Sequence, residues 1–93
     1  MTELLRDDEI SSRLEGLRWT REGEQIVRDL QFADFKEAIA FVNRVADVAE
    51  GANHHPDILV HGWNKVRLAL TNHSAGGLTE ADFKLAHRLE ELT

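Results

Sequence analysis

Asp34-Phe-Lys-Glu-Ala-Ile-Ala-Phe-Val-Asn-Arg-Val-Ala-Asp-Val-Ala-Glu-Gly51 is the stretch that decides the fold. Within it Phe35, Ala38, Ile39, Val42, Val45, Ala46 and Ala49 recur with the 3.6-residue period of one helix face, while Lys36, Glu37, Asn43, Arg44, Asp47 and Glu50 lie opposite. Asp34 and Glu37 have capping-box spacing, and Gly51 suits the position just past a helix end. The pattern predicts an amphipathic helix over 34–50. Its stripe needs a partner layer, and burying each large side chain there is worth about 1.5–3 kcal/mol.

The flanking segments supply that layer. Upstream, Asp7 reads as the N-cap of a short helix over 7–15 with Ile10 and Leu14 on one face, ended by Gly16. Leu17 and Trp19 alternate with Arg18 and Thr20 as in a strand. After the turn signal Glu22-Gly23-Glu24, a second strand over 25–32 puts Ile26, Leu30 and Phe32 on one face. Downstream, strands are expected over 58–61 and 65–71 on either side of Gly62, the second alternating Val66, Leu68 and Leu70 against Lys65, Arg67 and Ala69. Beyond Ala75-Gly76-Gly77, Thr79 reads as the N-cap of a last helix with Asp82 at N3. Leu78 is placed to staple to Phe83, and Phe83, Ala86, Leu89 and Leu92 form the buried face. The expected fold is α+β in the order α-β-β-α-β-β-α: a four-stranded antiparallel sheet with helices packed on one face, in a single domain over 1–93.

Composition narrows the function. The chain has 93 residues, 42% hydrophobic and 30% charged, the balance of an ordinary folded domain. A formal charge of −6, from 11 basic and 17 acidic residues, offers no footprint for a phosphate backbone, so nucleic acid is not expected as a direct ligand. Without cysteine there is no disulfide, thiolate catalysis or cysteine-based zinc site. The first residues, Met-Thr-Glu-Leu-Leu-Arg-Asp-Asp-Glu, lack the basic start and apolar core of a signal peptide, and no apolar run is long enough for a membrane span. A cytoplasmic location, with no membrane partner, is the expectation.

The candidate site follows the long helix: Glu50-Gly-Ala-Asn-His54-His55-Pro56, then Trp63, His73 and Asp82. Imidazole, with an unperturbed pKa of about 6.5, gives or takes a proton near neutral pH, so such a concentration of histidines suggests acid–base chemistry. Pro56 disfavours the α region at His55 and makes the two rings diverge. An antiparallel hairpin would return His73 to the end where His55 begins. A metal site is the competing reading, but the chain has no His-Glu-x-x-His, and an extended His54-His55 pair points apart. His61, near a strand end, and His87, amid polar helix positions, receive no role. Asp82 already has a structural role as a cap, Glu50 sits unfavourably at a helix C-terminus, and the flat face of Trp63 suits a planar heterocycle.

The pattern Glu50-x3-His54-His55-Pro56-x6-Trp63-x9-His73-x8-Asp82 resembles the signature of the pterin-4a-carbinolamine dehydratases, as do Asn64-Lys65-Val66 and Gly77-Leu78-Thr79-x-x-Asp82; the likeness covers about residues 10–92. Ile58, the x6 spacing to Trp63, and Asn72 before His73 depart from the animal-type pattern. The resemblance implies dehydration of 4a-hydroxytetrahydropterin to quinonoid dihydropterin, with no metal or redox cofactor and the pterin as substrate. It implies that His54, His55 and His73 are catalytic, and that Glu50, Trp63, Asn72 and Asp82 bind substrate or support the histidines. It also implies a homodimer or homotetramer. The alternative on the same fold is a non-catalytic interaction or assembly module.

Overall fold

The computed structural model describes residues 3–93; residues 1 and 2, part of the expected 1–93 domain, lie outside the described residues. The elements are α1 (Asp7–Leu14), β1 (Thr20–Glu22), β2 (Gln25–Gln31), α2 (Phe35–Ala52), β3 (Asp57–His61), β4 (Lys65–Leu70) and α3 (Glu80–Glu90), in the expected order. The four strands pair antiparallel in the spatial order β1-β2-β4-β3, so each hairpin contributes one central and one edge strand. Register across the centre pairs Ile26 with Leu70, Arg28 with Leu68, and Leu30 with Val66. Directly opposed residues share a face, and these six face the helices. Val66, Leu68 and Leu70 are fully buried, as their alternation predicts. The opposite face carries Asp29, Gln31, Lys65 and Arg67. No helix among the described residues is long and apolar enough to cross a membrane.

Four local differences from the sequence reading have physical causes. The first strand forms at Thr20–Glu22 and not over 17–20. The turn at Gly23, with φ of 62°, pairs Glu22 with Gln25 and makes the ladder grow outward from the turn; Trp19 and Leu17 precede it and pack into the core. The first helix is capped one residue early, because the Glu9 carboxylate accepts the Arg6 N–H (3.0 Å), while Asp7 pairs instead with Arg21 (2.9 Å). The long helix passes through Gly51 to Ala52, and Asn53 takes the left-handed position in place of glycine, with φ of 52°.

The fourth difference concerns which side of the long helix is buried. Ala38, Phe41, Val45 and Ala49 face the sheet, whereas Phe35 is 52% exposed and Ala46 is exposed. The apolar arc is wider than the contact: residues 35, 39, 42 and 46 form a flanking row, and the row through Phe41 is the one buried in the core. Phe41 also stacks at 5.0 Å on Phe32 at the end of β2. Phe41→Ala is therefore expected to cost about 3–5 kcal/mol in urea unfolding, and Phe35→Ala less than about 0.5 kcal/mol. Equal losses would contradict this orientation of the helix.

Candidate active site

The site begins with the way α2 ends. Asn53 in the left-handed conformation donates its N–H to Glu50 O (3.2 Å), and His54 donates its own to Ala49 O (3.2 Å). This paired arrangement is a Schellman cap, and it fixes the backbone of His54 to the last turn of the helix. Asparagine tolerates the left-handed region better than other residues with a Cβ. Asn53, an Asn just before the histidines, is the sequence signal for this cap, which the glycine at 51 masks.

The His54 side chain reaches across to α3. Its Nε2 lies 2.6 Å from Asp82 Oδ1, and Asp82 is completely buried. The other carboxylate oxygen, Oδ2, accepts the Thr79 backbone N–H at 2.8 Å and faces the Thr79 hydroxyl at 3.4 Å. Asp82 is thus the expected N3 partner in the capping box, and it also holds an imidazole. With Asp82 as a carboxylate, which only accepts hydrogen bonds, this contact requires the proton on Nε2 and leaves the lone pair of a neutral ring on Nδ1. Thr79, which the sequence marks as a cap, is fully buried. By occupying Oδ2 it also orients Oδ1 towards His54.

The other predicted residues separate into two groups. His55 is exposed, with Nε2 at 3.6 Å from the exposed Glu50 carboxylate, beyond hydrogen-bonding length. His73 is exposed on a loop closed on itself: Asn72 and Gly77 exchange backbone hydrogen bonds of 3.0 and 3.2 Å, and Asn72 Oδ1 accepts the Ala75 N–H at 3.0 Å. Asn72 therefore shapes the loop that presents His73. Because Asp57 pairs with Ala69, this loop leaves β4 at the end where His54 and His55 enter β3. Glu50, His54, His55, His73 and Asp82 consequently share one end of the β3–β4 hairpin. Trp63 does not join them. It occupies the turn at the opposite end, 62% exposed and with φ of 59°, and five residues of β3 put it roughly 17 Å or more from the histidines of its own chain.

Among the described residues no three His, Cys, Asp or Glu side chains are grouped as a metal ion would require. What the arrangement can do is move protons. One imidazole is anchored by a buried carboxylate, and two others are exposed at the same end of the β3–β4 hairpin.

Residues 3–92 match the family model for pterin 4 alpha carbinolamine dehydratase. A protein of Thermomicrobium roseum is 52% identical over 89 residues, 95% of either chain, and one of Nocardia farcinica is 50% identical over 92 residues, 98% of this chain and 96% of that one; both carry pterin-4-alpha-carbinolamine dehydratase as a provisional name. The crystal structure of a transcriptional coactivator/pterin dehydratase from Brucella melitensis superposes with a TM-score of 0.90 at 32% identity, covering 97% of this chain and 98% of that one. A pterin dehydratase-like protein described as a RuBisCO assembly factor in the alpha-carboxysome shares the fold, with a TM-score of 0.64 at 23% identity, over 82% of this chain and 87% of that one.

The double use of Asp82 has a measurable consequence. Asp82→Ala removes a cap and leaves the Thr79 N–H without its acceptor, so a loss of about 2–4 kcal/mol in urea unfolding is expected. Glu50→Ala, at an exposed pair, is expected to stay within about 0.5 kcal/mol. An Asp82→Ala protein as stable as the parent would contradict the capping geometry.

Proposed function

Because the chain belongs to the pterin 4 alpha carbinolamine dehydratase family, we propose that it removes water from 4a-hydroxytetrahydropterin to give quinonoid dihydropterin, with His54, His55 and His73 as its acid–base groups. The observation that carries this reading is the 2.6 Å contact between His54 Nε2 and the buried Asp82. In the reaction the carbon–oxygen bond at C4a breaks, and the departing hydroxide takes a proton to leave as water. A ring N–H gives up its proton, and its electron pair closes the new carbon–nitrogen double bond. Two proton transfers balance the step, and no electron is gained or lost.

His54 is the base in this scheme. With Nε2–H bound to Asp82, its Nδ1 takes the ring proton, and the carboxylate stabilises the imidazolium that forms, as the aspartate of a Ser-His-Asp triad does. His73 supplies the proton to the leaving hydroxide, and His55, with Glu50 beside it, completes the polar wall. A binding-only role on this fold would have no use for the anchored imidazole, which favours catalysis over assembly alone.

The proposal includes a homodimer. Strand β3 is a sheet edge with Leu59 54% exposed. Antiparallel pairing of this edge with its copy requires residues of like hydrogen-bonding parity to oppose, so the two-fold axis falls on a residue, and full overlap selects Leu59. Asp57 then meets His61 of the second copy, a complementary pair, and Trp63 of the second copy approaches His55. Trp63 would serve the pterin site across the dimer.

Freshly generated 4a-hydroxytetrahydropterin should lose its absorbance faster with micromolar protein, and an unchanged rate would reject the activity. His54→Ala and His73→Ala should each lower the rate by about 10² to 10⁴; parental rates would remove those roles. Asp82→Asn, which can offer an N–H to His54 and so reverse the tautomer, should fold yet lose rate to a similar degree. In the same assay Leu59→Arg should be monomeric by light scattering with a raised KM, and a parental KM in the monomer would detach Trp63 from the site.

A further inference from the structure

A second cluster of charge lies at the other end of α3, and the dehydration has no use for it. Arg28 sits on the helix-facing side of β2 between Ile26 and Leu30, and is only 6% exposed. Its Nη2 donates to Thr93 Oγ1 at 2.9 Å. Its Nη1 is buried and, among the described residues, has no hydrogen-bond acceptor. The nearest carboxylate oxygen, Glu90 Oε1, is 3.8 Å from Nη1, and it already accepts the Arg18 backbone N–H at 2.8 Å. Among the described residues the Arg18 guanidinium has no ion pair. Burial holds the Arg28 pKa below the ordinary arginine value, with Glu90 opposing that shift and the Arg18 charge adding to it.

Arg18 and Arg28 both border one cleft of ≈ 390 Å³, whose walls include Leu30, Phe32, Gln31 and Thr93. That volume lies within the usual range for small-molecule sites. Asp29 also borders the cleft, but its carboxylate belongs to the opposite sheet face, 3.9 Å from Arg67. Among the described residues Glu90 is the one side-chain carboxylate within 4 Å of either guanidinium. A buried N–H without an acceptor is costly, and an anion would satisfy it.

We propose that this cleft binds a small monocarboxylate with an apolar or aromatic body. Arg28 Nη1 and Arg18 take the carboxylate, and Leu30 and Phe32 take the body. A dianion is disfavoured because the Glu90 carboxylate already lies 3.8 Å from Arg28 Nη1. The site is separate from the histidines: Asp82 and Glu90 occupy opposite ends of α3, roughly 12 Å apart along its axis. The inference therefore stands or falls independently of the dehydratase reading.

The test is titration of the full-length, isotope-labelled protein with benzoate, followed by amide NMR. Saturable shifts are expected at Arg18, Phe32 and Thr93 with a Kd of about 1 mM, and none with benzamide, which has the same body and no charge. Arg18→Gln, a change at an exposed position, should leave the spectrum folded and weaken benzoate about tenfold. Arg28→Met should abolish the saturable shifts. Inorganic phosphate at equal concentration should not displace benzoate. The proposal is overturned by the absence of saturation, by equal binding of benzamide, by unchanged affinity in Arg18→Gln, or by displacement with phosphate.

Discussion

A single buried carboxylate ties the architecture to the chemistry. Asp82 Oδ2 closes the first turn of α3 against Thr79, and Oδ1 holds His54 at the end of α2. Removing a carboxylate from water is expensive unless its lone pairs are used and positive potential lies nearby. Here the N–H of Thr79, the imidazole N–H and the positive end of the α3 dipole supply both. The helix that starts correctly is thus the helix that presents the anchor, and the site cannot be assembled without that local fold.

Much of the fold was legible because each element carried its own period and punctuation. The alternation of Val66, Leu68 and Leu70 set the buried face of β4, and the Thr79–Asp82 box set the start of α3. Errors arose where a tertiary partner decided the outcome. The apolar arc of α2 admits several faces, and only packing against Phe32, β4 and α3 selects Phe41 over Phe35. Leu17 and Trp19 alternate as a strand would, yet the ladder is set by the turn at Gly23, which leaves Trp19 to fill the core before pairing begins. Gly51 looked like the helix stop, but the backbone continued to Asn53, whose left-handed geometry also positions the next residue.

The candidate site was legible as a set of residue types and only partly as a geometry. Antiparallel return of β4 brings the His73 loop to the His54 end, as hairpin reasoning predicts. The same reasoning applied to Trp63 puts it at the far end, because a residue in the hairpin turn cannot lie near both strand ends. Spacing along the chain does not reveal this; strand length and register do. Arg28 was equally invisible to pattern reading, since a lone arginine within a hydrophobic strand has no signature until the ends of two other elements close over it.

The proposed catalysis requires that Asp82 fix the tautomer of His54 and so leave Nδ1 to take a proton. Long-range nitrogen–proton correlation spectra of the histidine side chains, recorded where the rings are neutral, test it directly. His54 is expected to carry its proton on Nε2, with Nδ1 unprotonated, and the pattern to reverse in Asp82→Asn. A parental His54 protonated on Nδ1, or averaging between tautomers as a free imidazole does, would contradict it.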